Sequence, residues 1–256
     1  MKNIAKVVMI SVFVSATIHA QDKGQVIQSI MEETFNQSQL EKLGYELLDE
    51  IGPRLVGSPK MNQAHQWAVK RFQNWGRNEQ WGEWKSWERG ISTVEMVTPY
   101  IKSLEGQQLA FSPATSAKGI TAEVVMLPIF TSKEDFTKWL PQVKGKLVMV
   151  SPYEASGRPD YNWKEFATEK SYQNYKKRTD AAQKEWSKSL ETIGLSWRTM
   201  NKPFEEAGAA GIVWSNWSKG FGVNKIFSAG TKKIPVVDIS LESYGQLYRM
   251  LQNAVS

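Results

Sequence analysis

The 256-residue chain contains no cysteine. That excludes a disulfide framework, a lipid-anchored cysteine, a thiolate nucleophile and any thiolate-ligated metal, so stability has to come from packing. Histidine is nearly as scarce, with only His19 and His65. Histidine-dependent catalytic triads are therefore poorly served, and no G-x-S-x-G elbow occurs to hold a serine nucleophile. Neither a G-x-G-x-x-G nor a G-x-x-x-x-G-K-[ST] phosphate loop is present, nor a D-x-[DN]-x-[DN]-G calcium loop. The glycine-rich stretch Gly208-Ala209-Ala210-Gly211 falls between an expected helix and an expected strand, the wrong order for a phosphate cradle. Charge of one sign is not concentrated either. The net charge of +6 comes from lysines scattered among acids, which leaves no nucleic-acid footprint.

Long apolar runs are missing as well. Val7 to Val14, behind Lys2 and Lys6 and ahead of Ala20, is too short for a comfortable membrane span. Residues 1–20 read as a secretory signal with a small residue before Gln21. The expectation is a periplasmic or secreted protein with no stable membrane span after cleavage, an uncleaved anchor being the alternative. Cleavage removes His19 and leaves His65 as the sole histidine. A catalytic zinc site normally draws on two or more imidazoles or thiolates, so these residues alone do not assemble one. His65, beside Gln66 and Trp67, reads as a surface or supporting histidine.

Eleven tryptophans and 41% apolar residues suffice for a folded core. Gln21 to Asn36 reads as a helix or frayed arm. Ser38 to Glu41 has the capping-box pattern, followed by a stripe of Leu40, Leu43, Leu47, Leu48 and Ile51 that Gly52-Pro53 ends. A loop shaped by two glycines and two prolines follows, Gly52 to Pro59. Behind it Met61, Ala64, Ala68, Phe72 and Trp75 recur at helical spacing up to Gly76, the expected C-cap. Gln80 to Trp87 is expected as a strand, and so is Thr93 to Leu104, with Gln107 to Phe111 pairing back on it. The first hundred residues have too few elements to close a three-layer core.

From Ala117 the pattern alternates between strand and helix. The strands expected are Gly119–Leu127, Leu147–Val150, Ile212–Trp214 and Ile234–Ile239. Ser132 and Ser240 are placed to cap helices, and Pro203–Ala207 is a short helix. Tyr153 to Arg198 reads as a solvated helical insertion of two helices broken near Gly194.

The loop Gly52-Pro53-Arg54-Leu55-Val56-Gly57-Ser58 and the helix after it resemble the start of the co-catalytic zinc exopeptidases of the aminopeptidase Y and carboxypeptidase Q type. The turn Trp87-Glu88-Arg89-Gly90 resembles carboxypeptidase Q relatives. Gly119 to Val124, Gly145 to Val148, Glu206 to Ile212 and Ile234 to Val237 resemble, in that order, the protease-associated domain inserted in those enzymes. The insertion at about 155–200 departs from the pattern, and no role is carried onto it.

The resemblance implies an α/β chain: the N-terminal edge of a three-layer α/β zinc-exopeptidase domain (21–110), followed by a protease-associated α/β domain (111–256). It implies a peptide substrate and two zinc ions in the full-length protein, with a glutamate as general base and the metals lowering the pKa of the attacking water. In the family's order those residues come after the inserted domain. No catalytic residue and no metal ligand is therefore assigned here, and no zinc is expected on this chain alone. The expected function is an N-terminal fragment of a secreted metallo-exopeptidase. The alternatives are a non-catalytic interaction or substrate-capture module, and glycan binding through the tryptophans. Arg54 has two readings. It ties the loop to backbone carbonyls or a carboxylate, or it helps hold a peptide carboxylate as a substrate-binding residue. Ser58 is read as a turn or N-cap hydroxyl, and Trp75, Trp81, Trp84 and Trp87 as core or lid packing. The oligomeric state is left open.

Overall fold

The structure is a computed structural model that describes residues 23–73, 79, 82, 83, 85–220, 224 and 226–253. The expected signal segment 1–20 lies outside these residues, as do Trp75, Gly76, Trp81 and Trp84. The chain divides into two compact units, Met1–Trp84 and Lys85–Ser256. Among the described residues no helix is long and apolar enough to cross a membrane.

The first unit is helical among its described residues. Helix α1 spans Lys23–Asn36 and buries nothing, with Ile27 59% and Phe35 76% exposed. Its apolar side is therefore a stripe without a partner among the described residues. Helix α2, Leu40–Tyr45, runs directly into a π-helical stretch, Glu46–Ile51. The expected capping box does not form. The helix begins after Gln39, and the Ser38 hydroxyl accepts from the Leu40 N–H at 3.3 Å instead of from the residue the box requires. Helix α3 spans Pro59–Arg71 and ends at Phe72, short of Gly76. Pro59 opens it at no cost, because the first N–H of a helix has no partner anyway.

The second unit is built on a five-stranded sheet in the order β3-β7-β6-β5-β4: Gly106–Gln108, Val236–Ile239, Gly211–Trp214, Leu147–Met149 and Val124–Met126. All neighbours are parallel except β3, which runs antiparallel to β7. A separate hairpin pairs β1, Val94–Met96, with β2, Lys102–Leu104. The single strand expected over Thr93–Leu104 is thus two. Pro99 lies in the turn between them, and proline has no N–H to give a ladder. The segment after β2 does not pair back on it either; Gly106–Gln108 joins β7 instead. The described residues from 82 to 87 form no strand.

Both sheet faces are covered, as the continuous apolar runs demand. Val148, Ile212 and Val236 face a core shared with α4 (Lys133–Trp139), α6 (Glu169–Thr192) and α7 (Asn201–Glu206), through Phe136, Leu190 and Phe204. Their neighbours along the strands, Met149, Val213 and Ile239, point the other way, onto Tyr244 and Leu247 of α8 (Leu241–Gln252). The hydroxyls of Ser132 and Ser240 cap α4 and α8 as their spacing predicts, accepting from Asp135 N at 3.1 Å and Ser243 N at 3.3 Å.

The insertion differs from its expected form. Its break falls at Ala167–Thr168, between α5 (Asp160–Phe166) and α6, and Thr168 caps the new helix through the Ser171 N–H. Gly194, with φ of +76°, ends α6. Nor is α6 wholly solvated: Tyr175, Ser189 and Leu190 are buried, and Trp186 donates to the Val150 carbonyl at 3.2 Å.

Candidate functional site

In the first unit, the shaped loop turns on Gly52 and Gly57, at φ of +76° and +81°, where a side chain would be strained. Ser58 follows, 3% exposed, and its hydroxyl accepts from the Met61 N–H at 3.2 Å, the N-cap reading of the sequence. Replacing Ser58 with alanine is expected to cost about 1 kcal/mol, with Ser58→Asp recovering most of it, as read by chemical unfolding. An unchanged midpoint in the alanine variant would show that this cap does not hold the helix.

Arg54 donates through Nη1 to the carbonyls of Leu47 and Gly52, the latter at 2.9 Å. The guanidinium thereby satisfies acceptors at the end of the π-helical turn, where the helix leaves carbonyls without partners. This is the backbone-carbonyl arrangement. Its Nε and Nη2 donors are not used in those bonds.

Glu46 was not marked by the sequence. It accepts from Trp67 Nε1 at 2.7 Å and from Arg71 Nη2, joining the π-helical stretch to α3. The Trp67 and Arg71 hydrogen bonds hold its carboxyl below the usual carboxylate range. No local pattern reveals a contact between residues so far apart in the chain. His65 sits exposed on α3. Among the described residues no three His, Cys, Asp or Glu side chains gather closely enough to hold a metal ion. The described residues do not fit a zinc site.

The second unit contains a cavity of about 330 Å³ near the carboxyl ends of β6 and β7. Ligands in open parallel sheets bind outside those strand ends. Asp238 of β7 lies beside Trp214 in register and is 3% exposed. Its oxygens accept from the Asn216 N–H at 2.8 Å and from Asn224 Nδ2, which also donates to the Ile239 carbonyl at 2.8 Å. Burial pushes the Asp238 carboxyl up, and those two hydrogen bonds pull it partly back. Asn201, buried at the start of α7, donates to the Ala229 carbonyl at 2.7 Å and accepts from Trp214 Nε1 at 3.2 Å. The mouth is aromatic. Trp197 and Phe227 are 48% and 47% exposed with ring centroids 5.9 Å apart, and the Arg198 guanidinium lies 5.0 Å from the Trp197 ring.

Sequence reading singled out none of these pocket residues. One signal was available: an aspartate inside the otherwise apolar strand Val236–Ile239. Trp87 is the member of the expected tryptophan cluster that is described. It donates to the Ser112 carbonyl at 3.0 Å and packs against Phe111 at 5.9 Å, a packing role within the second unit.

No protein-family model matches the chain. Carboxypeptidase Q of Rattus norvegicus is 34% identical over 122 residues, taking in 46% of this chain and 25% of that protein. The Homo sapiens carboxypeptidase Q is 32% identical over 111 residues, 42% of this chain and 23% of the relative. The matched segment thus spans about a quarter of the length of these relatives. In three dimensions the chain is similar to a crystal structure described as a peptidase M28 precursor from Shewanella amazonensis SB2B. The TM-score is 0.53 and the identity 21%, over 90% of this chain and 47% of that one. The sequence similarity to carboxypeptidase Q is partial, and the mixed α/β fold with its mostly parallel sheet matches part of that peptidase structure.

Proposed function

We propose that this chain is the N-terminal part of a secreted or periplasmic zinc-dependent exopeptidase that hydrolyses peptides, with the metal-binding catalytic residues supplied by sequence beyond Ser256. The observation that carries this reading is the partial identity to carboxypeptidase Q, which uses nearly half of this chain and only a quarter of the relative. One feature of the fold supports it: among the described residues the apolar stripe on α1 has no partner, as expected of a helix that packs on more protein. No step of the reaction is assigned to the described residues. Within this reading residues 111–256 form a protease-associated domain, and residues 1–20 a secretory signal. On this reading Arg54 keeps its loop in shape through Nη1, and its remaining donors would be available to a peptide carboxylate.

The test compares two purified proteins, the 256-residue chain and the product of its coding DNA read past Ser256. The longer product is expected to carry stoichiometric zinc and to cleave peptides from one end, and the shorter chain to do neither. Zinc and turnover in the shorter chain would overturn the fragment reading.

The alternative, a non-catalytic capture module, is favoured by one observation. The described residues that cover both faces of the sheet's core all belong to the 85–253 region. A stop codon immediately after Ser256, with a monodisperse folded product, would decide for it.

A further inference from the structure

The cavity at the carboxyl ends of β6 and β7 holds three chemistries in one small space. At its base is a carboxylate, Asp238, almost fully withdrawn from water. Its hydrogen bonds come from an amide N–H and an amide side chain, and among the described residues it makes no ion pair with a lysine or arginine. A buried anion with no cation paired to it among the described residues is unfavourable there, and a cation entering the cavity would relieve it. At the mouth, two large aromatic rings are kept about half exposed, although rings of that size ordinarily bury most of their area. Beside them the exposed Arg198 lies over Trp197 and forms no ion pair among the described residues.

The geometry points to a binding pocket for a small zwitterion of amino-acid to dipeptide size with an apolar side chain, its ammonium group at Asp238, its carboxylate at Arg198 and its side chain against Trp197 and Phe227. The volume of about 330 Å³ sits at the lower end of the range for small-molecule sites and excludes a long peptide lying wholly inside. An aromatic wall favours both the apolar side chain and the cation. Asn201 spends both ends of its amide on Ala229 and Trp214, so it shapes the wall and leaves recognition to the two charges. The pocket lies wholly within the 85–253 unit, and the proposal does not rest on the exopeptidase reading.

The probe is leucyl-phenylalanine, titrated into the full chain at neutral pH and followed by calorimetry and tryptophan fluorescence. Saturable binding is expected, weakened about tenfold or more by N-acetylation of the peptide and similarly by amidation of its C-terminus. Asp238→Asn is expected to remove binding. Because that variant also disturbs a buried hydrogen-bond network, Arg198→Ala, at an exposed position, serves as the second variant. It is expected to weaken leucyl-phenylalanine by about tenfold while leaving circular dichroism and thermal unfolding unchanged. Absence of saturable binding up to about 10 mM would overturn the proposal. So would equal affinity for the N-acetylated peptide, or for an uncharged disaccharide such as cellobiose. Since the readout is binding by this chain, it is independent of any zinc or turnover measured on a longer product.

Discussion

Phe204→Ala is expected to destabilise the second unit by about 3–5 kcal/mol. Phe204 has no exposed surface and lies edge-on to both Phe136 and Trp139, with centroids 6.4 Å away in each case. Removing the ring takes away its transfer free energy and leaves a cavity between α4, α7 and the sheet. Those surroundings are anchored by backbone bonds and relax only partly. Against the 5–15 kcal/mol typical of whole proteins, the loss is large. Urea unfolding monitored by tryptophan fluorescence measures it, and Phe204→Leu should retain more than half of the lost stability. A shift below about 1 kcal/mol for the alanine variant would mean that the ring is not part of a packed core.

Gly106→Val is expected to act through backbone rather than through lost packing. A Cβ at Gly106 would stand 2.8 Å from the Asp238 carbonyl oxygen and 2.8 Å from Ile239 Cγ2. The Ile239 methyl can rotate, but the carbonyl oxygen belongs to the strand and cannot move alone. Strand β3 must therefore draw away from β7, breaking the pairing of Gly106 with Ile239 and of Gln108 with Val237. A cost of about 1–3 kcal/mol follows for the forced contact, with lost ladder bonds adding to it. Hydrogen exchange should show faster exchange in β3 and β7 while β4 and β5 keep their protection. Wild-type stability and exchange in this variant would show that the edge has room for a side chain. Because the strand that loses its partner, β7, is the one bearing Asp238, affinity for leucyl-phenylalanine should fall as well.

What was legible in the sequence was local or strongly periodic. The hydroxyls of Ser58, Ser132 and Ser240 announce helix starts because the group each one binds lies three residues on. The buried strands at Leu147, Ile212 and Val236 show as short apolar runs because both faces of a parallel sheet are covered. What was hidden depends on distance along the chain. Nothing near Gly106 signals that it pairs with Ile239, or that Glu46 meets Trp67 and Arg71. Local cues also competed. Gly194 looked like a helix break and is a helix end, while the break itself is set by Thr168, whose hydroxyl offers the capping bond. Ser38 had the capping-box spacing, yet the chain enters α2 one residue later. The pocket was least legible. Trp197, Arg198 and Asn201, Phe227, and Asp238 come from three separate segments, and only the fold brings them to one cavity.

The placing of the insertion that carries α5 and α6 has a consequence for how the sheet assembles. It lies between the neighbouring strands β5 and β6, which stand about sixty residues apart, roughly three times the interval from β4 to β5 or from β6 to β7. Closing a loop three times longer costs about 1 kcal/mol more in chain entropy. Among the parallel pairs the β5–β6 seam is thus the entropically most expensive joint, flanked by two cheaper ones. A rigid α6 of 24 residues within that interval offsets part of the difference, because residues already ordered in a helix have no freedom left to lose when the ends meet.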